Sequence, residues 1–111
     1  MNIRSDIVRS ALVGEFLPSA IRKMSALEVG NFTIHVNTLP PAFEGLKIAH
    51  LSDLHNKKYG ENGCELFELI QKQNPDIVVM TGDMISHSAV NREDFIGLTK
   101  SLAEKYPTFY V

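Results

Sequence analysis

The chain reads as an α/β domain of parallel strands joined by crossover helices, and three observations point there. Two short apolar runs, Leu46 to Leu51 (LKIAHL) and Ile77 to Met80 (IVVM), have the length and composition of buried central strands. Each is followed by a polar turn and then by a stretch with helical spacing. A third strand signal, Thr108-Phe109-Tyr110-Val111, closes the series. The order strand, helix, strand, helix, strand implies two right-handed crossovers and parallel pairing.

Composition narrows the class without naming it. A chain of 111 residues holds one small domain. Hydrophobic content of 44% and charged content of 22% argue against disorder. A net charge of −2 leaves no basic excess, so no nucleic-acid partner is indicated. Cys64 is the single cysteine, which excludes an internal disulfide and favours a reducing compartment. Beside Leu66 and Phe67 it reads as a small packing residue, with nothing near it to activate a thiolate. No segment approaches the roughly 18 apolar residues of a spanning helix. Arg4, Asp6, Arg9, Glu15, Arg22 and Lys23 interrupt the first stretch, so it has no clean signal-peptide core. The expected location is cytoplasmic. Association of the basic N-terminal stretch with a membrane surface is a second reading.

Ile3, Ile7, Val8, Ala11, Leu12 and Phe16 recur at three- and four-residue spacing, which predicts an amphipathic helix from about Asn2 to Phe16. Pro18 should stop or kink it. This sets a helical extension at residues 1–24 before a domain at residues 25–111. Leu27, Val29, Phe32, Ile34 and Val36 follow, alternating from Phe32 onward. Gly30-Asn31 is a turn signal within them, so the stretch predicts a short hairpin or a bulged strand. His35 lies on the face opposite Ile34 and Val36 and should meet solvent. Pro40-Pro41 enforces an extended connector. Asn56 to Gly63 is polar and reads as a loop. Cys64 to Lys72 predicts a helix with Cys64, Phe67, Leu69 and Ile70 on its apolar side, ended by Asn74-Pro75. Asn91 to Lys105 predicts a second helix that buries Phe95, Ile96, Leu98 and Leu102, and Pro107 ends it.

The chemistry lies just beyond the two strong strands. In an extended tail, residues two apart point the same way, so Asp53 and His55 address one site while Leu54 turns into the core. Asp83 follows Gly82, which permits a sharp turn at the strand tip. Ligands of parallel sheets gather at the carboxyl ends of the strands, where both aspartates fall. Oxygen and nitrogen donors there suit a hard or borderline divalent cation. A carboxylate shared between two metals is a device for phosphoester hydrolysis. The bland reading makes both aspartates turn formers and His55 a solvated loop residue. His50, inside its strand, reads as a core or supporting residue, and His87 as a loop residue near the site's edge. Asn56 reads as a turn former. Lys57 and Lys58 read as solvated, although their charge would attract phosphate.

The stretch LKIAHLSDLHNKKYGENGCELFELIQKQNPDIVVMTGDMIS closely resembles the first half of the calcineurin-like metallophosphoesterases, and most of all their bacterial branch. The resemblance covers Leu27 to Val111. It implies the front part of a four-layer α/β/β/α sandwich that holds two divalent ions: manganese, iron or zinc. It also implies hydrolysis of a phosphomonoester or phosphodiester substrate by a metal-bound hydroxide. By the same resemblance, Asp53 and His55 bind the first metal and Asp83 bridges both. The family pattern continues with Gly-Asn-His-Glu or Gly-Asn-His-Asp after the third strand, and later with Gly-His-x-His. This sequence departs from it by reaching Val111 before either motif, and His35, His50 and His87 do not match the missing positions. The expectation is therefore an amino-terminal fragment, truncated before Gly-Asn-His, with no catalytic residue of its own and inactive alone. An exposed apolar sheet edge should make it prone to self-association. Two readings from other classes stay open. One is a non-enzymatic interaction or oligomerisation module that retains half the fold. The other is a flavodoxin-like half-domain that binds a small anion, its aspartates serving as turn residues.

Overall fold

The computed structural model describes residues 2–10, 27–54, 58–85 and 92–111. In chain order these form β1 (Asn2–Ser10), β2 (Leu27–His35), β3 (Lys47–Ser52), α1 (Cys64–Gln73), β4 (Ile77–Met80), α2 (Arg92–Lys105) and β5 (Thr108–Tyr110). Single 3-10 turns at Pro41–Phe43 and Glu61–Gly63 lead into β3 and α1.

Local sequence accounts for these bounds. In β3 alternate residues are buried, with Ala49 and Leu51 fully enclosed; in β4 Val78 and Met80 are. α1 buries Leu66 and Ile70, four apart, and α2 buries Leu98 and Leu102 at the same spacing. Asn74 ends α1 in the left-handed region (φ 51°) and donates its N–H to the Gln71 carbonyl. Glu93 and Asp94 in the first turn of α2 and Lys105 in its last suit the helix dipole. A reciprocal clasp sets the start of β3 against the start of β4. Lys47 N–H donates to Asp76 Oδ2 at 2.8 Å, and Asp76 N–H donates to the Lys47 carbonyl at 2.9 Å.

Among the described residues the strands form one five-stranded sheet in the order β2-β1-β3-β4-β5. β1 and β2 are antiparallel; β1–β3, β3–β4 and β4–β5 are parallel. Both helices lie on one face, because Ala49, Leu51, Val78 and Met80 pack in a single core with Leu66, Ile70, Leu98 and Leu102. Leu54 and Met84, just past the two strand ends, complete that core. Ser5 pairs with both Phe32 and Ile48, and Val79 pairs with both His50 and Phe109. The opposite face therefore carries Phe32, Ile34, Ile48, Ile77, Val79 and Phe109. Among the described residues it stays open: Phe32 is 54% exposed, Ile34 51% and Phe109 55%. An apolar face of this kind is what a sandwich presents to a second sheet.

Several sequence expectations are met. The strand, helix, strand, helix, strand order from β3 onward holds, β4 has the predicted bounds, and His35 is exposed. Others need correction. Asn2–Ser10 is a strand, not the first part of a helix. Its β-branched Ile3, Ile7 and Val8 suit a strand, and β1 pairs along its length with β2 and along much of it with β3, so tertiary pairing overrides the helical spacing. The rest of the predicted helix and Pro18 lie outside the described residues. Gly30 and Asn31 do not turn the chain; they continue β2 opposite Ile7 and Asp6. Cys64 is exposed at the start of α1, and Leu66 takes the core position expected of it. Ile96 faces outward at 63% exposure. No described helix is long and apolar enough to cross a membrane.

Candidate metal centre

Asp53 and Asp83 end neighbouring parallel strands, and the chain fixes both in the same unusual conformation. Asp53 has φ 57° and Asp83 φ 53°, in the left-handed region that residues other than glycine seldom adopt. Gly82, at φ 35°, starts the second turn. Short polar side chains are the non-glycine residues that tolerate this region best, which explains aspartate at each turn locally. Outliers of this kind persist where the surroundings over-determine them and cluster at functional sites.

The surroundings here are specific. The residue after each aspartate is driven into the core: Leu54 is 4% exposed and Met84 1%. The turns are also stitched to each other. Thr81 N–H donates to the Leu51 carbonyl at 3.0 Å, and Asp53 N–H donates to the Gly82 carbonyl at 3.3 Å. On the open face, His50 Nε2 and Thr81 Oγ1 are hydrogen-bonded at 2.6 Å. Asp53 is half-buried and Asp83 exposed, so one carboxylate sits deeper in the sheet edge than the other.

The structure thus brings two of the three expected ligands to one edge. His55 lies outside the described residues, as do Asn56, Lys57 and His87. Lys58 is exposed, as a solvated loop lysine should be. Among the described residues no group of three histidine, cysteine, aspartate or glutamate side chains gathers. The two carboxylates present are hard oxygen donors, and their chemistry fits a divalent cation. Sequence reasoning missed two contributors, Thr81 and Met84. Thr81 had a legible signal: it follows β4 by one residue and shares strand alternation with Val79, which pairs with His50.

Residues 46–111 match the family model of the calcineurin-like phosphoesterases. The chain belongs to that family. Among its relatives is the uncharacterized metallophosphoesterase YkoQ of Bacillus subtilis, 31% identical over 94 residues. That alignment covers 85% of this chain and 34% of the relative. An uncharacterized metallophosphoesterase of Campylobacter jejuni is 32% identical over 74 residues, covering 65% of this chain and 20% of the relative. The chain therefore spans about a third of the first relative's length and a fifth of the second's. No solved structure matches it. The family match begins at Leu46, so Asp53, His55 and Asp83 lie inside it while β1 and β2 lie outside.

Proposed function

We propose that this chain is the metal-ligating front of an enzyme that hydrolyses a phosphomonoester or phosphodiester. Asp53 and His55 would hold one divalent cation, and Asp83 would be the carboxylate shared with a second. The observation that carries the reading is the pair of left-handed aspartates on neighbouring strand ends, tied together through Thr81 and Gly82. Cations held there, of the manganese, iron or zinc class, would supply the Lewis acidity that activates water and neutralises charge on phosphoryl oxygens. The chain's own share is positional. Buried Leu54 and Met84 anchor the turns, and the backbone bonds between them limit how far the two carboxylates can separate. Three side chains do not fill the coordination of two cations, so water or further donors would complete the set.

Thermal melting with and without manganese chloride tests this. A cation that binds only the folded chain adds about 2.7 kcal/mol of stability at a hundred times its dissociation constant. The melting temperature should rise with manganese, and the rise should vanish in Asp83→Asn while the fold persists. A melting temperature indifferent to manganese, iron and zinc alike would sink the reading. A second reading, an interaction or oligomerisation module, is favoured by the open apolar face of the sheet. It predicts no metal effect, so the same melts separate the two.

A further inference from the structure

On the metal reading given above, we propose that His50 and Thr81 are a pair of positioning residues that set the separation of the Asp53 and Asp83 turns. Neither is expected to touch the cation. The register between β3 and β4 runs from Ile48↔Ile77 to Leu51↔Met80 and then stops. Past that point the two chains diverge into the turns that carry the carboxylates. Among the described residues, the outer backbone bond there, Asp53 N–H to the Gly82 carbonyl, is long at 3.3 Å. The His50–Thr81 bond is short at 2.6 Å and crosses at this mouth. His50 precedes Asp53 by three residues and Thr81 precedes Asp83 by two. The bond is shorter than the 3.0 Å and 3.3 Å backbone bonds that link the two turns.

A merely structural polar pair would stabilise the fold without touching affinity for a cation. A positioning pair controls the distance between donors, and partners that orient ligands typically change metal affinity by about 10–100-fold when removed. Calorimetric titration of the full chain with manganese chloride distinguishes these roles, with melting temperature as the control on folding. Thr81→Val, which removes only the hydroxyl, should weaken manganese binding about tenfold or more. Thr81→Ser, which restores the hydroxyl, should return the affinity to within about threefold of the parent. Since one bond is involved, Thr81→Val combined with His50→Leu should cost little more than the worse single change.

Manganese binding unchanged in Thr81→Val, or equally weak in Thr81→Ser, overturns the pairing. So does full additivity in the double variant. If Thr81→Val does not fold, His50→Gln against His50→Leu carries the same comparison, and equal affinities overturn it. Asp83→Asn keeps the two readings apart. Binding lost in Asp83→Asn but intact in Thr81→Val overturns the pairing alone. A parent chain that binds no manganese overturns the metal reading and the pairing together.

Discussion

Asp53 and Asp83 each carry a carboxylate and a backbone that glycine would adopt more easily. The two properties can be separated by substitution. At φ 53°, Asp83→Gly removes the Cβ that crowds the carbonyl, whereas Asp83→Ala keeps the crowding and loses the side chain's local tolerance. Asp83→Gly is therefore expected to be more stable than Asp83→Ala by about 1 kcal/mol in denaturant unfolding, with both equally unable to bind manganese. Equal stabilities would mean that the turn is not held in the left-handed region in solution. At this scale the sequence is partly transparent. Asp53 and Asp83 stand out because each follows an apolar strand, and Leu54 turns inward as alternation requires. Their shared backbone conformation is not legible, since aspartate adopts extended, helical and left-handed states alike. The His50–Thr81 bond joins residues 31 apart in sequence and depends on the chain between them folding back into register.

The first half of α2 packs on the loop before α1 through glycines. A Cβ at Gly63 would stand 2.8 Å from Leu98 Cβ, and one at Gly97 would stand 2.7 Å from Asn62 Cβ. The Asn62 N–H also donates to Asp94 Oδ1 at 2.8 Å, drawing the same two segments together. Gly63 has φ 70° as well, so Gly63→Ala meets both a clash and a strained backbone. Each is worth about 1–2 kcal/mol, and the variant should lose about 3 kcal/mol in chemical denaturation. A loss under 1 kcal/mol would show that the two segments separate easily. Element types were readable where a segment had one dominant period, as in IVVM or α2. β1 was misread because Ile3, Ile7 and Val8 satisfy helical spacing while their β-branched side chains suit a strand. Only pairing with β2 and β3 decides between the two, and a single sequence does not display pairing.

At the scale of the molecule the sheet has one face closed by helices and one open. The open face carries Phe32, Ile34 and Phe109, all more than half exposed, with Ile48, Ile77 and Val79 half-buried among them. A hydrophobic dye such as anilinonaphthalene sulfonate should bind the folded chain. Phe32→Lys together with Phe109→Lys should cut that fluorescence by about half or more while changing stability by under about 1 kcal/mol, because both side chains already meet water. Undiminished fluorescence would place the dye elsewhere. The mixed α/β class and the parallel succession from β3 onward were legible, since strong strands alternated with helices. The addition of β1 and β2 to the same sheet was not. β1 lies between β2 and β3, a neighbour relation that chain order does not suggest.

The strand order has a consequence for robustness. Among the described residues the outermost strands are β2 and β5, where fraying begins and where another strand would attach. β3 and β4, which bear Asp53 and Asp83, are each flanked on both sides. Loosening at the rim can therefore proceed without disturbing the spacing of the two carboxylates, and an encounter along either border leaves their strands paired.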